Sequence, residues 1–174
     1  MKTDWNPKDL DLHRFTQLGG ELTATTPLLA LPRVLDACLD QALVGQRVCQ
    51  WVLRGELRSM GGIDQAWLHL SAELDVRQTC QRCLEPMDMA VHVDRWFRLV
   101  ADEATALAED DEAEEDLLAL APDFDALNLL GDEILLALPL VPRHQACHAP
   151  LSAALEEDLP HPFAALAGLK LPKQ

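Results

Sequence analysis

The segment of this chain whose residue types and spacing could do chemistry is Cys80-Gln81-Arg82-Cys83, with His144, Cys147 and His148 well downstream. Two thiols separated by two residues suit a redox dithiol, half of a metal site, or a tight turn that uses neither sulfur. A redox pair wants its first cysteine at a helix N-terminus, where the backbone lowers the thiol pKa, usually after a strand in a βαβ unit. Here a strand-like run follows the pair, and Pro86 stands after it rather than between the cysteines. That context speaks against redox catalysis. A metal site is easier to build, because a CxxC bend points both sulfurs to one side and leaves two tetrahedral positions to fill. Cys80, Cys83, His144 and Cys147 would make a Cys3His set for one structural zinc, with His148 as an alternative ligand. This requires the proline-bounded segment around His144 to fold back onto the bend. Spacing alone leaves zinc ligation and unliganded thiols both open.

The elements that must position these groups are read from periodicity. Cys49, Trp51, Leu53 and Leu57 recur every second residue, opposite Gln50, Arg54, Glu56 and Arg58, which predicts a half-buried strand. After Gly61-Gly62, Leu68, Leu70, Ala72, Leu74 and Val76 alternate with polar residues, and Met87 to Leu99 alternates again. Three consecutive strands with short connections predict an antiparallel meander, with the CxxC between its second and third members. Residues Asp9 to Thr26, with Gly19-Gly20 inside, read as one or two strands and a turn. Pro32 to Leu43 reads as a short helix, and Asp125 is placed to cap another that carries Leu127, Leu130, Ile134 and Leu138 on one face before Pro139 stops it. Pro162 to Leu169 reads as a last amphipathic piece docking through Phe163, Leu166 and Leu169. The fold class expected is α+β: an antiparallel β-meander covered by a few short helices, with a long acidic loop.

Composition bounds the function. With 49% hydrophobic and 25% charged residues, the 174-residue chain is expected to form one globular domain, residues 1–174. Five cysteines, an odd number, make a poor disulfide framework. The opening residues hold no apolar run resembling a signal peptide, and no later segment has the roughly 18 apolar residues of a membrane span, so a cytoplasmic protein without membrane contact is expected. The net charge of −15 argues against RNA binding by bulk electrostatics. Its distribution is uneven: seven arginines and seven acids share residues 46–98, whereas Asp102 to Glu133 holds thirteen acids and no Lys or Arg. The tract at about 101–124 is expected to be a flexible acidic insertion. No arrangement of nucleophile and base stands out, and the acids are crowded into one tract rather than spread over a pocket, so no enzyme is expected.

Three blocks together carry a resemblance: Thr79-Cys80-Gln81-Arg82-Cys83-Leu84-Glu85-Pro86, then Asp132-Glu133-Ile134-Leu135-Leu136-Ala137-Leu138-Pro139-Leu140-Val141-Pro142-Arg143-His144, then Pro162-Phe163-Ala164-Ala165-Leu166. In order and spacing the chain resembles the YceD family, bacterial proteins described as large ribosomal RNA subunit accumulation proteins, over roughly residues 10–170. The resemblance implies a part in processing or accumulation of 23S rRNA; it supplies a pathway and not a reaction. Relatives with further cysteines after the proline-rich segment imply a four-thiolate site there, where this chain has Cys147 between His144 and His148. Two modes of action fit the family role. The arginines of the meander could contact precursor 23S rRNA phosphates, with Arg82 at the bend as the foremost candidate and Arg95 and Arg98 beside it. Alternatively, the acid block from Asp102 to Asp125 could hold a basic large-subunit ribosomal protein as an adapter or chaperone.

Overall fold

The computed structural model describes residues 5–147; the expected docking piece at Pro162–Leu169 and the alternative ligand His148 lie outside the described residues. Five strands form one sheet: β1 (Glu21–Pro27), β2 (Val48–Met60), β3 (Ile63–Thr79), β4 (Pro86–Val100) and β5 (Asp116–Ala119), hydrogen-bonded in chain order. The first four pair antiparallel, and β5 runs parallel to β4. With the helices below, the fold is α+β, a mostly antiparallel meander. The alternation behind that expectation holds residue by residue. On β2, Cys49, Trp51 and Leu53 are buried; on β3, Leu68, Leu70, Ala72, Leu74 and Val76; on β4, Val91, Val93, Phe97 and Leu99.

That core face is covered by short helices. α1 (Leu12–Gln17) lays Phe15 against the sheet where Gly55 admits it; a Cβ at Gly55 would stand 2.7 Å from the Phe15 ring. α2 (Pro32–Asp36) and α3 (Gln41–Val44) follow β1, α4 (Glu103–Glu109) follows β4, and α5 (Ala126–Ala137) follows β5. Asp125 caps α5 by accepting from Leu127 N at 2.8 Å and Asn128 N at 3.3 Å. Leu130 and Ile134 on α5 are fully buried, each worth roughly 1.5–3 kcal/mol of apolar burial. Among the described residues no helix is long and apolar enough to cross a membrane.

The structure departs from the sequence reading in three places. Residues 12–17 form α1 rather than a strand: Leu12, Phe15 and Thr16 bury one helical face, Asp11 caps it, and Gly19 at φ +57° follows the helix end instead of turning a hairpin. The expected helix from Pro32 to Leu43 is two helices, because Asp40 adopts a left-handed φ of 55° between them. The acidic tract, expected as a loop, contains α4 and β5. Asp102 caps α4 through Thr105 N at 2.7 Å, and the crossover is long enough to return the chain parallel to β4.

Candidate metal centre

The bend between β3 and β4 is closed by its own backbone. Leu84 N donates to Cys80 O at 2.9 Å and Cys80 N to Glu85 O at 2.9 Å, while Leu84 takes a φ of +64°. A left-handed leucine is an uncommon conformation, held here at an exposed position immediately after the second cysteine. α5 ends at Ala137, and Pro139 and Pro142 lead the chain away from the helix and back to the bend. There Gln81 N donates to Pro142 O at 2.9 Å. The return that a four-ligand site requires is therefore made.

It brings Cys80, Cys83, His144 and Cys147 together, one donor atom from each, all within 4.8 Å of one another. The Cys80 and Cys147 sulfurs are 3.8 Å apart, and Cys83 Sγ lies 3.3 Å from His144 Nδ1. At 3.8 Å the sulfurs are far outside the ~2.05 Å of a disulfide. They match the ~3.8 Å edge of a sulfur tetrahedron drawn around zinc with its ~2.3 Å bonds. Three sulfurs and an imidazole nitrogen so placed can hold a metal ion.

The electrostatics sort the five cysteines. Burial raises the Cys38 thiol above its ordinary value and pushes Cys49 to about 11, so both stay protonated as small core side chains. Burial also opposes ionisation of Cys80, but hydrogen bonds from the backbone of Cys83, His144 and Arg82 and from the Cys83 side chain outweigh it and bring the thiol to about 5. His144 N lies 3.4 Å from the Cys80 sulfur and is one of those donors. Cys147 moves the other way, raised by burial and then by hydrogen bonding to, and the charge of, Cys80 and Cys83. One sulfur leans to thiolate and a second is held back by it, a conflict that a cation among them relieves.

The three arginines singled out in the sequence are not in one place. Arg82 is exposed at the outer corner of the bend and has no ion-pair partner among the described residues. Arg95 lies opposite Leu70 on the core face at the sheet margin, paired with Asp116 and, at 3.4 Å, with Glu133 of α5. Arg98 lies opposite Trp67 on the other face, its side chain only 14% exposed, with Glu115 at 2.5 Å and Glu109 at 2.9 Å. These acids were not paired with the arginines in the sequence reading. The crossover through α4 and β5 brings Glu109, Glu115 and Asp116 there, and α5 brings Glu133.

Residues 68–170 match the family described as "Large ribosomal RNA subunit accumulation protein YceD". A protein of Haemophilus influenzae named "Large ribosomal RNA subunit accumulation protein YceD" is 38% identical over 112 residues, covering 56% of this chain. The match spans 62% of that relative's length. No solved structure matches the chain.

Proposed function

The chain belongs to the YceD family, and from that premise we propose that it is a non-catalytic ribosome-biogenesis factor. It supports processing or accumulation of 23S rRNA by binding precursor rRNA in the cytoplasm. Its CxxC bend is held by one structural zinc on Cys80, Cys83, His144 and Cys147, and Arg82 is presented to phosphate. The observation that carries the reading is the placement of Arg82: an exposed arginine without an acid partner among the described residues, on the bend where four donor side chains converge. Arg95 and Arg98 are engaged by acids, so their part is to hold the sheet margin. The role is read as non-catalytic because the partly buried carboxylates Glu115 and Glu133 serve as arginine partners. Filter binding to precursor 23S rRNA tests this. Arg82→Ala should weaken binding across sequences and reduce the slope of log affinity against log salt by about 1, the mark of one lost phosphate contact. An unchanged slope removes Arg82 from the interface, and no binding by the wild-type chain overturns the reading.

A second reading is favoured by the exposed acids Asp110, Asp111, Glu112 and Glu114, which project from the crossover with no ion pairs among the described residues. In it the crossover holds a basic large-subunit ribosomal protein. Replacing these four by Asn and Gln should abolish capture of such a protein without disturbing the fold, and retained capture refutes the adapter role.

A further inference from the structure

Seven of the ten arginines stand in ion pairs with acids. Three have no such partner among the described residues: Arg14, whose guanidinium lies 6.0 Å from the Trp5 ring centre, and Arg82 and Arg143. The last two are far apart in sequence and side by side in the fold. Gln81 N donates to Pro142 O at 2.9 Å, and Cys83 Sγ lies 3.3 Å from His144 Nδ1. These two contacts run in the same direction along both segments, so residue 82 is held opposite residue 143 between them. Both arginines are exposed. Glu85, the acid nearest Arg82 in sequence, is exposed as well and ion-pairs with neither.

Like charges set opposite each other repel, and a guanidinium cannot shed its charge to escape. Among the described residues the chain supplies no carboxylate to either arginine, so the repulsion is relieved by an anion from outside. With rRNA binding as the premise, that anion is phosphate, whose oxygens the guanidinium fork meets in two parallel bonds. We infer that Arg82 and Arg143 form one phosphate clamp, gripping adjacent phosphates of an RNA strand, one guanidinium to each. The inference deepens the rRNA-binding reading and rests on it. It adds Arg143, which the sequence reading left inside a motif without a role, and it fixes the path of the strand across the point where the bend and the returning chain meet.

The test is filter binding of the full chain to precursor 23S rRNA across salt concentrations. Arg143→Ala should reduce the slope of log affinity against log salt by about 1, as Arg82→Ala does, and the double variant by about 2. Arg143→Lys should keep the slope, because the charge stays, and still lower affinity, because the fork is lost. Arg54→Ala, which removes an arginine paired with Glu21, is the control for net charge and should leave the slope unchanged. Without RNA, neither Arg82→Ala nor Arg143→Ala should lower the thermal midpoint, since each removes a repulsion. If either keeps the wild-type slope, the clamp is overturned and the pair is left to an acidic protein, while rRNA binding stands. A slope lowered as much by Arg54→Ala makes the effect one of bulk charge and also overturns the clamp. If wild type does not bind precursor rRNA, both fall.

Discussion

The two ends of β4 solve the same problem in opposite ways. At its start, four donors, three of them thiols, converge from the β3–β4 bend and the chain after α5, with no positive side chain among them. At its far end, acids of the crossover converge on β4 as well, but there Arg95 and Arg98 supply the positive charge. The far end draws its cations from its own chain, Arg95 and Arg98 standing among Glu109, Glu115, Asp116 and Glu133. The near end draws none: Cys80 leans to thiolate and Cys147 is pushed up by its neighbours. Convergent polar side chains thus mean different things according to whether the chain brings both signs of charge. Here only the end beside Arg82 asks for something from outside.

The largest effect should come from breaking the near end. Cys83→Ala should lose the metal, release the 143–147 segment and lower stability by about 4 kcal/mol, the linkage expected when free zinc stands at about 1,000 times its dissociation constant. Chelator should do the same to wild type and little to the variant; urea unfolding with and without chelator measures both. The shared core comes next. Ile134→Ala should cost about 2–5 kcal/mol, since Ile134 is fully buried on α5, the helix from which the chain returns to the bend, and zinc affinity should fall with it.

At the far end the effects should be smaller and pH-dependent. Hydrogen bonding to Arg98 lowers the Glu115 pKa from 4.5, despite burial opposing it. A depressed carboxylate adds stability that is present above its unfolded value and lost as pH falls through the folded one. Arg98→Ala should therefore cost about 1 kcal/mol at neutral pH and flatten stability against pH below 4.5. Glu133 has the reverse sign: burial raises its pKa above 4.5, helped by Asp116 and Asp132 and opposed by Arg95. Its ionisation weakens the fold as pH rises through the folded value. Glu133→Gln should be slightly stabilising at neutral pH and indistinguishable from wild type in acid, as thermal midpoints across pH would show. Neutralising Asp110, Asp111, Glu112 and Glu114 should change stability by less than about 0.5 kcal/mol, because none is engaged among the described residues.

What could be read in advance divides along physical lines. β2, β3 and β4 are legible because each buries one face, and a period of two survives in the residue order. α5 is legible through its Asp125 cap and its proline stop. The ligand set could be proposed from residue types, but the return of residues 142–147 rests on one long-range backbone bond, Gln81 N to Pro142 O, that no local pattern encodes. β5 is four residues in an acidic run, and its strand state comes from pairing with β4. α1 was hidden by Gly19-Gly20, which suits a helix end as well as a hairpin. The separation of Arg95 from Arg98 was available all along, since residues three apart on a strand face opposite sides of the sheet.

The account turns most directly on the metal content of the full chain, purified without chelator and measured by elemental analysis beside Cys80→Ala. It predicts roughly one zinc per wild-type chain, with three sulfurs and one nitrogen around it by X-ray absorption, and none in the variant. A fully folded wild-type protein that carries no zinc after equilibration with the metal would contradict it.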